Sequence, residues 1–136
     1  MALARYDVSG DLDPGFGIDG NGKVLESSGQ AHVSGSAIAI QPDGRIVVGG
    51  ESYNYDETGE NPIDRLAGVW RFTADGLADP TFGDAGWASD LIISGGSVSR
   101  CYGLALQADG RIVWGGRVWK HGDIPIFYAG LARFWQ

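Results

Sequence analysis

Residues 38–50 read IAIQPDGRIVVGG, and the chain repeats this stretch at residues 104–116 as LALQADGRIVWGG. Nine of the 13 positions are identical at an offset of 66 residues. In both copies, apolar residues alternate with small ones beside an Asp-Gly pair, which is the pattern of a β-hairpin with a tight turn. The stretch therefore predicts two copies of one antiparallel β unit.

The similarity continues outward from this stretch. Residues 5–17 match residues 71–83 at the same offset, from an Arg-aromatic pair to a Phe-Gly pair. Leu131-Ala132-Arg133-Phe134 is a further copy of Leu3-Ala4-Arg5-Tyr6. We therefore treat the chain, 1–136, as one unit of two repeats, about 3–68 and 69–130, followed by a third Arg-aromatic strand at 131–136.

Each repeat is predicted to contain four strands, with the Asp-Gly pair in the turn between the second and third. The predicted strands are 23–27, 31–41, 45–49 and 66–72, and then 87–92, 99–107, 111–115 and 128–135. Four antiparallel strands in about 60 residues, repeated after a short link, are typical of β-propeller blades. The predicted fold class is all-β, with two four-stranded blades per chain. The glycine pairs at 49–50 and 115–116 would allow close packing against a neighbouring blade.

Composition agrees with this class. The chain has 23 glycines and 15 aromatic residues among 136, and 43% of its residues are hydrophobic. An interior glycine costs a helix roughly 1 kcal/mol, so a helical bundle is disfavoured. The hydrophobic share argues against disorder, and the glycines lack the three-residue period of collagen.

Charge and cysteine content exclude several partners. The net charge is −7 and the basic residues are scattered singly, so neither nucleic acid nor an anionic membrane is expected as a partner. The single cysteine, Cys101, excludes an intrachain disulfide and a cysteine-rich zinc site, and we expect it to pack between blades. No signal peptide or membrane-spanning segment is expected from the sequence, and the compartment stays open.

Three segments resemble the delta-60 repeat family of bacterial β-propellers: LARY at 3–6, DLDPGFG at 11–17 and IQPDGRIVVGG at 40–50. The resemblance covers nearly the whole chain, twice over. It implies a propeller without catalytic residues; family members are mostly long repeat proteins, often surface-associated, with poorly defined function. This chain departs from that pattern because it holds two repeats.

Two blades do not close a ring, so the sequence predicts homo-oligomerisation. Identical two-blade chains give six blades as a homotrimer, which we favour because small propeller lectins often assemble that way, or eight as a homotetramer. The extra Arg-aromatic strand has two interpretations. Residues 2–7 complete a blade of a neighbouring protomer, or the chain is an excised or engineered unit of a longer array.

No enzyme, cofactor or metal site is predicted. His32 and His121 are not equivalent in the repeats and lack metal-ligand spacing, so both are expected at the surface. Residues 7–13 faintly resemble a calcium loop, but their counterpart in the second repeat lacks two of the four oxygen side chains. We therefore expect Asp13 and Asp79 to cap local backbone amides.

The aromatic residues are the main difference between the repeats. At offset 66, Trp87, Trp114 and Trp119 align with Asn21, Val48 and Tyr53. Indole faces can stack on sugars while polar side chains hold hydroxyl groups. Candidate ligand-binding residues, some of them expected in the loops after the third strands, are Trp87, Trp114, Trp119, Tyr53, Arg117 and Asp123.

Two functions of different classes remain open. The first is a non-enzymatic propeller module that self-assembles into a ring and serves as a structural or interaction scaffold. The alternative is a lectin-like carbohydrate-binding propeller with one aromatic-lined site per protomer. In the scaffold interpretation, Trp114 and Trp119 fill space between blades.

Overall fold

The computed structural model describes residues 1–27, 29, 32–60, 62–90, 97–120 and 126–135. This described part is all-β, as predicted, with nine strands and no helix. Among these residues there is accordingly no helix with the length and apolar character needed to span a bilayer. The strands are β1 (Ala2–Ala4), β2 (Lys23–Leu25), β3 (His32–Ile40), β4 (Ile46–Tyr55), β5 (Pro62–Phe72), β6 (Trp87–Asp90), β7 (Ser97–Leu106), β8 (Ile112–Lys120) and β9 (Ile126–Phe134).

The strands form three antiparallel sheets in chain order. Sheet 1 is β1-β2, sheet 2 is β3-β4-β5-β6 and sheet 3 is β7-β8-β9. The prediction of two four-stranded blades is wrong for the described residues, because the strand placed first in each repeat instead completes the preceding sheet. Thus β2 pairs with β1, and β6 pairs with β5.

The strands β4 and β8 run several residues beyond their predicted ends at 49 and 115. Their partners β3 and β7 each carry a β-bulge at the equivalent place, after Gly35 and after Cys101. A Cβ on Gly50 would clash with the carbonyl oxygen of Ser34 beside that bulge. The glycine pair therefore fits a bulged strand and does not end it.

The Asp-Gly hairpins form as predicted. Gly44 has a φ of +86°, and its amide donates to the carbonyl oxygen of Gln41 at 2.9 Å. Asp43 Oδ1 accepts from the amide of Arg45 at 3.1 Å. Gly110, with a φ of +85°, takes the same place in the second hairpin.

The Arg-aromatic motif forms a structural unit, which we call the arginine clamp: an arginine, an aspartate and a phenylalanine. Arg71 Nε donates to Asp79 Oδ2 at 2.8 Å, and its guanidinium lies 4.6 Å from the centre of the Phe82 ring. Asp79 Oδ1 accepts from the amide of Thr81 at 2.9 Å. Burial raises the pKa of Asp79, but the hydrogen bonds from Thr81 and the charge of Arg71 outweigh it, so the pKa lies below its usual value.

The first repeat has the same clamp. Arg5 Nε donates to Asp13 Oδ2 at 2.8 Å, and its guanidinium lies 4.8 Å from the Phe16 ring centre. Asp13 Oδ1 accepts from the amide of Gly15, which holds the pKa of Asp13 below its usual value. The predicted capping role of the two aspartates is confirmed.

Within the described ranges, two apolar cores lie between the sheets. The core shared by sheets 2 and 3 contains Cys101, which confirms its predicted packing between sheets. This core comprises Val47, Ala67, Val69, Phe82, Cys101, Ile112, Trp114 and Phe134. The second core, shared by sheets 1 and 2, comprises Phe16, Val33, Ile46, Val48, Trp70 and Phe72.

Candidate functional site

The contact of sheet 2 with sheet 3 shows how one repeat covers the next. Gly49 faces sheet 3, where a Cβ on it would lie 2.7 Å from Leu104 Cδ2. Trp114 Nε1 donates across the contact to the carbonyl oxygen of Gly50 at 3.4 Å. Val69, opposite Gly49 in the sheet, is fully buried. The two sheets pack so closely that only glycine fits at position 49 without displacing a neighbour.

The far side of sheet 3 presents the same repeat positions without a cover among the described residues. We call it the outer face, formed by Val113, Gly115 and Leu131. Leu131 lies opposite Gly115 as Val69 lies opposite Gly49, yet Leu131 is 75% exposed and Val69 is 0% exposed. A Cβ on Gly115 would meet nothing closer than Leu131 Cδ2 of its own sheet, at 3.6 Å.

Sheet 2 has a complementary open region, which we call the entry face, formed by Ile38 and Ile40. Ile38 is 63% exposed and Ile40 is 59% exposed. Their counterparts in the second repeat, Leu104 and Leu106, pack against the core between sheets 2 and 3. An open cleft of about 740 Å³ separates the entry face from β1. In the second repeat Leu104 and Leu106 cover the preceding sheet. Ile38 and Ile40 instead stay exposed, although sheet 1 packs on neighbouring residues of sheet 2.

The sheet edges are incomplete in opposite ways. Within the described residues β1 pairs only with β2, whereas the equivalent strand β9 pairs only with β8. In sheet 2 the equivalent strand β5 pairs on both sides, with β4 and β6. Sheet 1 therefore holds the last two strands of a four-stranded unit, and sheet 3 holds the first three. As far as the described strands go, both sheets leave backbone groups open for pairing.

The predicted ligand-binding tryptophans are dispersed over the molecule. Trp114 is fully buried between sheets 2 and 3, as the space-filling interpretation expects, so a ligand has no access to its ring. Trp87 begins β6, half-buried, and stacks on Trp70 with 6.3 Å between ring centres.

The alignment of Trp87 with Asn21 is wrong. Lys23 lies opposite Ala4 in sheet 1, just as Trp87 lies opposite Trp70 in sheet 2. The counterpart of Trp87 is therefore Lys23, because the loop before β6 is two residues shorter than the loop before β2. The offset between equivalent residues is 66 before this loop, as for Ala4 and Trp70, and 64 after it, as for Lys23 and Trp87.

Trp119 and Arg117 are the predicted residues that the structure brings together. Both lie on β8, and Tyr53 lies on β4, so the expectation that Arg117 and Tyr53 occupy loops is wrong. The Arg117 guanidinium is 5.4 Å from the Trp119 ring centre, and Phe127 lies 6.2 Å from it. Carbohydrate binding stays a prediction for this pair; Asp123, like His121, lies outside the described residues.

Tyr53 occupies the position of Trp119 in the first repeat. Its ring stacks on His32 with 4.3 Å between centres, and the Arg65 guanidinium lies 4.3 Å from its centre on a ring that is 9% exposed. Hydrogen bonding with Tyr55, together with burial, raises the pKa of Tyr53. The ring packs as part of the sheet, with little surface left for a ligand.

An ion-pair cluster between sheets 2 and 3 was not predicted from the sequence. Glu51 is buried, with Arg65 at 3.9 Å and Arg100 of sheet 3 at 3.7 Å from its carboxylate oxygens. Glu51 of the first repeat aligns with Arg117 of the second. This reversal of charge at one repeat position is the sequence feature that could have indicated the cluster. In the part of the chain that the structure describes, no group of three or more His, Cys, Asp or Glu side chains is placed to hold a metal ion.

Comparison with known proteins gives one family. A β-propeller family described as a domain of unknown function (DUF5122) matches residues 41–82, which span β4, β5 and the loop to Phe82. No curated protein and no solved structure shows a significant match to the chain. The family match supports a β-propeller repeat, without distinguishing the delta-60 family from other propeller repeats.

Proposed function

We propose that this chain is a non-enzymatic β-propeller module whose copies self-assemble into a closed ring of six or eight blades, serving as a structural or interaction scaffold. One observation carries the proposal. The position that is fully buried at Val69, where sheet 3 covers sheet 2, is 75% exposed at Leu131 on the outer face.

The two open faces are complementary. Between sheets 2 and 3, Leu104 fills the space left by Gly49. On another copy, Ile38 of the entry face would take the role of Leu104 and fill the space beside Gly115. Burying an isoleucine or leucine side chain contributes about 1.5–3 kcal/mol, so covering several exposed side chains gives a substantial driving force.

Such a contact is head-to-tail, because it joins the outer face of one copy to the entry face of the next. Head-to-tail contacts between identical chains form rings when the rotation between copies closes. Three copies of a two-repeat chain would supply six blades, the assembly that we favour, and four copies would supply eight. Only even blade numbers are accessible in this way.

The non-enzymatic part of the proposal is supported by the use of the recurring carboxylates. Asp13 and Asp79 each direct one oxygen to an arginine and the other to a backbone amide. These interactions fix the loop between two strands of a sheet. The carboxylates thus have a structural role that accounts for their recurrence.

Substitution on the outer face tests the proposal. Leu131→Asp places a charge where the ring contact is dry, so we expect sedimentation velocity to show a shift from oligomer to monomer. The control is Glu57→Lys, a charge change at an exposed residue of the turn between β4 and β5, which should leave the oligomer intact. An unchanged oligomer for Leu131→Asp would contradict the proposed contact.

A further inference from the structure

We propose that the ring is joined by strand replacement: β9 of one copy displaces β1 of the next copy and pairs with its β2. The inference rests on the proposed self-assembly and specifies which strands make the seam. The product is a four-stranded sheet in the order β7-β8-β9-β2, with β2 from the second copy. This is the order of sheet 2, β3-β4-β5-β6.

The two exchanging strands are nearly the same in sequence. The stretch Leu3-Ala4-Arg5-Tyr6 begins within β1, and β9 contains Leu131-Ala132-Arg133-Phe134. The equivalent stretch at the end of β5 is Val69-Trp70-Arg71-Phe72, which shares only the arginine and the aromatic character with β1. A surface that accepts β1 therefore accepts β9 without a change of side-chain size.

The partner strands show the same matching. In sheet 2, Trp70 lies opposite Trp87, and the two indoles stack. In sheet 1, the small Ala4 lies opposite Lys23. Ala132 of β9 is likewise small, so β2 suits β9 and does not suit a strand with tryptophan at this place.

The arginine clamp supplies a second, independent observation. Arg5 and Arg71 each bind an aspartate that follows eight residues later. The equivalent Arg133 is exposed and has no carboxylate partner among the described residues. Replacement of β1 by β9 would deliver Arg133 to Asp13 and the ring of Phe16 in the second copy, completing the clamp.

The lengths of the strands favour replacement in this direction. Among the described strands β1, with three residues, pairs with β2 alone, although its Leu3 also packs on the core between sheets 1 and 2. β9 has nine residues and is paired with β8 along its whole length. β9 would bring β7 and β8 with it into the cleft beside the entry face. The outer face of one copy then covers Ile38 and Ile40 of the next in the same event.

A pair of engineered cysteines tests the seam in the full chain. Leu131 occupies the strand position of Leu3, which lies opposite Val24. The double variant Leu131→Cys with Val24→Cys should therefore form disulfides between chains under mild oxidation, seen as covalent multimers on a non-reducing gel. Native Cys101 is buried, which limits its interference.

The matched control is Leu3→Cys with Val24→Cys, which should lock β1 onto β2 within one chain. We expect this variant to be monomeric when oxidised and to recover the wild-type oligomer when reduced, which also shows that it folds. Assembly of the oxidised Leu3/Val24 variant, with no interchain crosslink in the Leu131/Val24 variant, would overturn the replacement while leaving self-assembly standing. A wild-type chain that stays monomeric would remove both proposals.

Discussion

Gly49 and Gly115 occupy the same position of the repeat in different surroundings. A side chain on Gly49 would meet Leu104 of the next sheet, whereas a side chain on Gly115 would make only ordinary contacts within its own sheet. Neither glycine has a positive φ, so packing alone decides what each position tolerates. A substitution at Gly49 should therefore affect the folding of one chain, whereas a substitution at Gly115 should affect the association of several chains.

Substitution of this pair tests the distinction. Gly49→Val should destabilise the fold by about 1–3 kcal/mol, because the added methyl groups overpack the core between sheets 2 and 3. Gly115→Val should leave the thermal midpoint of the separated chain close to wild type but reduce the oligomer in native mass spectra. Equal losses of thermal stability in the two variants would contradict the assignment of Gly115 to an intermolecular contact.

At the scale of the element, the arginine clamp ties the Arg-aromatic strands of sheets 1 and 2 to the loop that leads into the last strand of each sheet. Asp79 forms ion pairs both with the buried Arg71 and with Arg45, which directly follows the Asp43-Gly44 turn of the neighbouring hairpin. The clamp thus joins two elements of the blade through one carboxylate. Loss of the Asp79 carboxylate should therefore destabilise sheet 2 as a whole.

The depressed pKa of Asp79 gives the clamp a pH dependence with a defined sign. Its contribution to stability is complete above the unfolded pKa, about 4, and is lost as the pH falls through the lower folded value. Asp79→Asn should lower stability by about 3–5 kcal/mol at neutral pH, because it leaves Arg71 buried without its charge partner, and should flatten the acid limb.

The matched control for the clamp is Asp43→Asn, which removes an exposed ion pair with Arg45 and should cost less than about 1 kcal/mol. Thermal melts at one protein concentration between pH 2 and pH 7 make the comparison. An acid limb for Asp79→Asn as steep as that of the wild type would contradict the role given to this carboxylate.

The strands and hairpins were predictable because they are encoded locally. The alternating residues around Asp43-Gly44, together with the second copy at offset 66, indicated β3, β4, β7 and β8 directly. The grouping into sheets was not predictable in this way. β2 lies between β1 and β3 along the chain, and its own residues do not say which of the two it pairs with.

At the scale of the whole molecule, the sequence predicted that repeats would pack on one another but not which aromatic residues would be used in doing so. Trp114 was singled out because it replaces Val48, yet only its position between two sheets shows that it is core. The residues that form the exposed entry and outer faces could not be predicted from the sequence either. Ile38 and Leu104 have the same pattern in sequence and differ in how far a neighbouring sheet covers them.

Native mass spectrometry of the full chain at micromolar concentration is the most direct test of assembly into a closed ring. A six-bladed ring gives a single species at three times the chain mass of 14.4 kDa, and an eight-bladed ring gives one at four times that mass. A closed ring should show no larger species as the concentration rises. A monomer of 14.4 kDa across the whole concentration range would contradict it.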